Sequence, residues 1–223
     1  MEIKPIAYIK TGFTKKFGLP RNSGRVNISG TIVFEPEFRN PESLKGLEEY
    51  NYIWLIFDFN KSHKNVFSPT VRPPRLGGNI RKGVFATRSP FRPNSLGLSC
   101  VKLLSVEKTA DKGTVLNVTE VDLLNDTPIY DIKPYIPFSD CKKQAKGGFS
   151  DIYKNHKLKV LLSEEIKSNI DENTLNIIID CIADDPRPAY IDDTRTYGMQ
   201  YNGYEIKFSV IGNTATILSI KTL

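Results

Sequence analysis

Two stretches of the chain hold side chains of the kinds that do chemistry. The segment TVRPPRLGGNIRKGVFATRSPFRPNSLGLS, residues 70–99, carries Arg72, Arg75, Arg81, Arg88 and Arg92 together with Lys82. Pro73, Pro74, Pro90 and Pro93 fix backbone dihedrals around them, and Gly77, Gly78 and Gly83 permit tight turns or close approach. A floppy basic loop needs no such restraint, so the guanidinium groups are expected to be held in place, where their planar forks suit phosphate or carboxylate. The segment VDLLNDTPIYDIKPYIPFSD, residues 121–140, sets Asp122, Asp126 and Asp131 near Lys133 and Tyr135. Carboxylates on a strand and turn beside a basic loop can hold ribose hydroxyls or act as a general base. The plainer role for Asp126 is turn formation, whereas Asp131 sits inside an apolar run and needs a partner if buried.

Charge reinforces the first stretch. Between Asp58 and Glu107 there is no acidic residue, while Lys61, Lys64, Arg72, Arg75, Arg81, Lys82, Arg88, Arg92 and Lys102 exceed on their own the net +6 of the 223-residue chain. The cations are interleaved with Phe67, Val71, Leu76, Val84, Phe85, Phe91, Leu96 and Leu98, unlike a solvated tail. An anion-binding surface is implied, with RNA or a nucleotide-like ligand as the leading candidates and an unspecific basic surface as the alternative.

The elements that must position these groups read mostly as strands. Apolar alternation of period two recurs at Ile6 and Tyr8, Val26 to Phe34, and residues 83–88, 96–107, 113–121 and 129–132. YIWLIFDF, residues 52–59, is a continuous run suited to a strand buried on both faces. Many short strands between Gly, Pro and Asn turns predict a mainly β fold with a closed or nearly closed β-barrel core. A short helix is expected over 41–50, with Pro41 in its first turn. Periodicity lapses over CKKQAKGGFSD, residues 141–151, which is read as a linker. Beyond it Asp171 can cap a helix whose Leu175, Ile178, Ile179 and Ile182 form one apolar face, and residues 204–221 alternate about Gly212-Asn213, a hairpin signal. The expected organisation is a barrel domain over 1–142 and a small α+β C-terminal module over 150–223.

Several classes are set aside. Cys100, Cys141 and Cys181 are widely spaced and lack ligand spacing, so structural zinc and a disulfide framework are not expected; each is read as a small buried hydrophobe in a reducing compartment. With only His63 and His156, His-rich metal sites are excluded and a Ser-His triad is poorly supplied. No run approaches the roughly 20 apolar residues of a membrane span, and the start lacks a secretory pattern. Cytoplasmic localisation is expected. Neither a dinucleotide-binding nor a Walker-type glycine motif is present.

KFGLPRNSG (residues 16–24), the arginine-rich block RPPRLGGNIRKGVFATRSPFRPNSLGLS (72–99), and DLLNDTPIYDIKPYIPFSD (122–140) resemble signature blocks of the TrmO family, also called TsaA-like or YaeB-like proteins. DDPRPAY (184–190) is similar to a block in the C-terminal module of its bacterial members, so the resemblance spans nearly the whole chain. It implies an S-adenosyl-L-methionine-dependent methyltransferase with an all-β barrel core, working as a homodimer. The implied acceptor is the N6 nitrogen of threonylcarbamoyladenosine in tRNA, next to the anticodon. The missing dinucleotide motif then has an explanation, since the donor binds on a barrel and not on a doubly wound sheet.

Carried over by block, the resemblance implies donor contacts from Asn22, Ser23, Gly24, Asn60, Lys61, Arg88, Leu98, Asp122, Leu123, Leu124 and Asn125. It departs from the family pattern at Asn60-Lys61, Ser95 and Asn125-Asp126. Asp131, Lys133 and Tyr135 are the candidate polar groups at the reacting atom, with Asp131 as base, Lys133 reading the threonyl carboxylate, and Arg92 and Asn94 orienting the modified base. Arg72, Arg75, Arg81, Lys82, Arg187 and Tyr190 are the expected tRNA contacts; for Arg187 and Tyr190 a domain-docking loop is the alternative. No metal is implied. Two other functions fit the same residues: a methyltransferase of this fold acting on a small nucleoside or metabolite, and a non-catalytic RNA-binding barrel.

Overall fold

Strict alternation of buried and outward residues lets six strands wrap around one apolar interior. The computed structural model describes residues 2–64, 66–167, 170–188 and 195–223. Its first part contains β1 (Ala7–Thr11), β2 (Gly30–Phe34), β3 (Tyr52–Asp58), β4 (Thr70–Val71), β5 (Lys82–Gly83), β6 (Leu96–Thr109), β7 (Gly113–Thr119), β8 (Thr127–Pro134) and the one-turn helix α1 (Pro137–Asp140). Six of these close into an antiparallel barrel in the order β1-β2-β7-β6-β3-β8, with β8 returning to β1 through Ala7 opposite Ile129. The fold class read from the sequence is therefore correct. Ile9, Ile32, Leu55, Val101, Leu116 and Ile129 fill the interior with no exposed surface. Gly97 is required by that packing: a Cβ there would lie 2.2 Å from Cζ of Phe57.

Three expectations change. The run over 52–59 is not buried on both faces; Ile53, Leu55 and Phe57 point inward, while Tyr52, Trp54, Ile56 and Asp58 stay half-buried on the outer wall. Residues 41–50 form two short 3-10 turns, Pro41–Leu44 and Leu47–Glu49, separated by left-handed Gly46. Residues 83–88 are not a strand. Beyond the two residues of β5 the chain folds into a 3-10 turn, Val84–Ala86, because the Val84 N–H is taken by the Pro69 carbonyl at 2.9 Å.

The second part holds β9 (Lys159–Leu161), α2 (Glu164–Lys167), α3 (Glu172–Ala183), β10 (Tyr197–Tyr201), β11 (Tyr204–Ile211) and β12 (Thr214–Thr222). The sheet order is β10-β11-β12-β9, with β9 parallel to β12. Asp171 caps α3 by accepting from the Thr174 N–H at 2.9 Å, and Leu175, Ile178 and Ile182 are buried. This sheet shares its core with the barrel's β1 exit loop. Phe13 packs on Tyr201 with centroids 4.8 Å apart, Phe17 stacks on Tyr197, and Asn202 donates to the Gly12 carbonyl. A Cβ on Gly12 would come within 2.6 Å of the Tyr201 ring, so the close approach needs glycine. Of the cysteines, Cys181 is buried, Cys100 half-buried and Cys141 exposed, so the buried reading holds for Cys181 and is corrected for Cys100 and Cys141. No helix of the described residues is long and apolar enough to cross a membrane.

Candidate functional site

Because neighbouring barrel strands are antiparallel, the ends of β1, β3 and β7 and the starts of β2, β6 and β8 share one mouth of the barrel. Three connections meet there, over 12–29, 59–95 and 120–126, and they carry most of the residues singled out from the sequence, though not Leu98, Asp131, Lys133, Tyr135 or Arg187. Hydrogen bonds tie them together. Gly24 donates to the Glu120 carbonyl at 3.2 Å, Asn125 donates to Phe13 and its Oδ1 accepts from the Thr11 N–H at 3.1 Å, and Arg88 Nη1 reaches Asn22 Oδ1 at 3.4 Å. The exposed Lys61 is joined to the first loop through Lys16, whose Nζ donates to the Lys61 carbonyl and to Ser62 Oγ; its neighbour Asn60 is exposed on the same connection.

Asp122 is the chemical centre of this mouth. Burial pushes its carboxyl above the ordinary range, against the opposing pull of the Ser99 hydroxyl, the backbone N–H groups of Asp122 and Ser23, and the Arg88 guanidinium. Its Oδ1 is enclosed and has no hydrogen-bond partner among the described residues. A buried acceptor left unmatched costs roughly 1–3 kcal/mol, so it marks a place where a donor group of a ligand belongs. Leu123 and Leu124 point into the core, Leu123 being 2% exposed, so they shape the turn and do not face a ligand with their side chains. Asp126 takes the left-handed conformation at φ 61, and Lys10 and Asn125 hold its carboxylate.

Leu98 lies on the other side of the wall. Successive strand residues alternate, so with Ser99 inward Leu98 projects outward and is 52% exposed. Register then fixes its neighbours. Leu98, Ile56 and Asp131 form one row across β6, β3 and β8; Cys100, Trp54 and Lys133 form the next, and Lys102 and Tyr52 the third, where Tyr135 donates to the Tyr52 carbonyl. Asp131 and Lys133 are ion-paired at 2.9 Å on this outer face. The Tyr135 ring packs against Trp54 and Tyr52, and the Tyr52 hydroxyl donates to Glu120 at 3.1 Å, next to Gly24. Asn94 stands exposed at the edge of the same face, just before β6. Arg92 is turned back into its own loop, donating to the carbonyls of Thr87 and Ser89.

The basic residues divide. Arg72 and Arg81 are exposed and Lys82 is half-buried on the small β4–β5 flap. Arg75, with a side chain 17% exposed, donates to the carbonyls of Asp184 and Asp185 at 2.6 and 2.8 Å. Arg187 is 11% exposed and forks onto Asp185 through Nε at 2.9 Å. Neither guanidinium is presented to solvent as a loop contact would require; Arg75 ties the flap to the second part, and Arg187 braces the turn at Asp185 within it. Arg21 donates to the carbonyls of Pro186 and Arg187, Arg25 pairs with Asp184, and His156 meets Asp185 at 3.1 Å. Tyr190 lies outside the described residues. Sequence reasoning missed Ser99, Thr11, Glu120, Arg21 and Arg25. For Ser99 a signal existed, since the period of two puts a hydroxyl on the inward face of a barrel strand.

A closed six-stranded barrel whose mouth holds a half-satisfied buried carboxylate beside an acid-free basic flap defines a barrel-type enzyme for a nucleotide-like ligand and a polyanionic partner. Two family models cover the chain, the tRNA-methyltransferase O N-terminal domain over residues 8–141 and the TrmO C-terminal domain over 155–223. The chain belongs to the TrmO family. A tRNA (adenine(37)-N6)-methyltransferase of Escherichia coli is 33% identical over 220 residues, covering 94% of this chain and 93% of the relative. A protein of Pseudomonas aeruginosa, provisionally named an S-adenosylmethionine-dependent methyltransferase, is 37% identical over 208 residues, 89% of this chain and 87% of its own. The crystal structure of TrmO from Pseudomonas aeruginosa superimposes with a TM-score of 0.81 at 29% identity, covering 100% of this chain and 97% of the other.

Proposed function

We propose that this protein transfers a methyl group from S-adenosylmethionine to the N6 nitrogen of threonylcarbamoyladenosine next to the anticodon of tRNA. The observation that carries the reading is the unmatched Oδ1 of Asp122, enclosed where three loops meet. An ammonium or ribose hydroxyl of the donor would satisfy it, and Asn22, Ser23, Gly24 and Arg88 surround the same position. When bound, S-adenosylmethionine supplies a methyl group on a positively charged sulfur.

The protein's part is then mostly alignment and charge placement. Asp122 holds the polar end of the donor, and Arg88, tethered to Asn22, offers a cation to its carboxylate. Asp131 and Lys133, on the row that runs through Ile56 to Leu98, face the acceptor: Asp131 takes the proton that the acceptor nitrogen loses, and Lys133 balances the threonyl carboxylate. Arg72, Arg81 and Lys82 meet phosphates, the interaction that supplies most non-specific affinity for RNA. Residues 1–142 act as the methyltransferase domain and 150–223 as the module clamped to it.

The protein works as a homodimer in the cytoplasm. The outer face of β6 supports the dimer, since Leu96 and Leu104 are exposed along it, surface that a second copy would cover. The free cysteines fit a reducing compartment. The test is transfer of labelled methyl from S-adenosylmethionine to bulk tRNA: incorporation with wild type and its loss on Asp122→Ala support the reading, and no incorporation by wild type contradicts it.

A further inference from the structure

We infer that Phe85, backed by the Arg92 guanidinium, is a stacking platform for an unpaired nucleobase of the RNA substrate. The inference rests on the tRNA reading above and adds a subsite to it. Phe85 is 74% exposed, yet it does not sit on a loose loop. Its neighbour Val84 is 1% exposed and anchors the turn. Val84 donates to the Pro69 carbonyl at 2.9 Å, and the Thr87 hydroxyl donates to Val84 at 2.8 Å. Arg92 Nη1 donates to the Thr87 carbonyl at 2.8 Å. The ring is thus presented by a turn that is closed from both sides.

The same arginine that closes the turn has its Cζ 5.9 Å from the Phe85 centroid. A cation behind one face of a ring and solvent at the other is the arrangement that favours a π-surface with nearby phosphates. No acidic residue occurs between Asp58 and Glu107 to repel a backbone, and Arg72 and Arg81 are exposed on the adjoining flap. The core of a protein–protein interface is depleted in charge, which makes another protein a poorer occupant of this surface. Arg88, three residues on, touches Asn22 at the barrel mouth. A base stacked on Phe85 would therefore lie beside the donor loops, as a nucleotide flanking the modified one must.

The test uses the full chain and an anticodon stem-loop RNA that carries the threonylcarbamoyl group. Phe85→Ala should raise the KM for RNA about ten- to a hundredfold while S-adenosylmethionine affinity stays at the wild-type value, and Phe85→Tyr should restore RNA binding. In Phe85→Trp, the new indole should be quenched by the stem-loop and not by heparin, which has charge but no bases. An unchanged RNA KM in Phe85→Ala overturns the platform, as does altered sedimentation of that variant with RNA binding intact, which would make the surface a protein contact. If wild type itself neither binds nor methylates the RNA, the proposed function fails and the platform falls with it; activity in wild type with no effect of Phe85→Ala sinks the platform alone.

Discussion

Arg25, in the loop that leaves the barrel mouth, holds Asp184 at the end of α3 through Nε at 2.7 Å, with both side chains largely buried. Around this pair Arg21, Arg75, His156 and Arg187 close on the backbone and side chain of Asp184 to Arg187. The donor loop and the arginine-rich flap are therefore both fastened to the second part of the molecule. Asp184→Ala should leave two guanidinium bonds unmatched and cost about 2 kcal/mol, read as a lowered denaturation midpoint in urea. Burial opposes ionisation of Asp185, but Arg187, His156 and Arg75 outweigh it and hold that carboxyl below the ordinary range. Its contribution is present above the unfolded aspartate pKa and is lost as pH falls through the lowered value, so Asp185→Asn should flatten the acid limb of the stability curve.

Asp122 has the opposite sign. Its raised carboxyl means that the folded state keeps a proton which the unfolded chain has already lost, so stability falls as pH rises above the ordinary aspartate range. Asp122→Asn should remove that slope and leave the melting temperature of the ligand-free protein equal or higher. Donor binding should weaken about ten- to a hundredfold, as expected for a lost hydrogen bond to a charged group. Titration calorimetry and thermal melts on one preparation separate the two effects.

The outer-wall pair can be tested by kinetics. Asp131→Asn should lower kcat by about 10²–10⁴, the usual contribution of a positioned base, with the Kd for donor and tRNA unchanged. Near-wild-type turnover would show that Asp131 is only the partner of Lys133.

Packing inside the barrel gives a structural control. Gly97→Ala drives a methyl into the Phe57 ring and should destabilise the fold by about 1–3 kcal/mol. Phe57→Leu in the same chain should recover part of that loss, measured by differential scanning calorimetry.

The barrel was legible because alternation is a local signal: Gly30, Ile32 and Phe34 declare their face without reference to anything distant. The hairpin at Gly212-Asn213 and the Asp171 cap were legible for the same reason. The turn at Val84–Ala86 was not, since its hydrogen bond comes from Pro69 across the flap. Arg75 reads as a free cation because its partners are set by tertiary docking, Arg75 and Asp184 being 109 residues apart, whereas Arg187 is taken up by Asp185 only two residues away. The apolar run of β3 was read as doubly buried, and its outer face is the wall on which Asp131, Lys133 and Leu98 meet. Composition marked that face as apolar but gave no means of telling a second sheet from a partner molecule.

The central claim is tested most directly by supplying labelled S-adenosylmethionine with two tRNA pools, one from cells able to make the threonylcarbamoyl modification and one from cells that cannot. Label confined to the modified pool, recovered on N6 of that nucleoside after digestion, is the predicted result. Equal labelling of both pools, or label at any other position, would contradict the assignment.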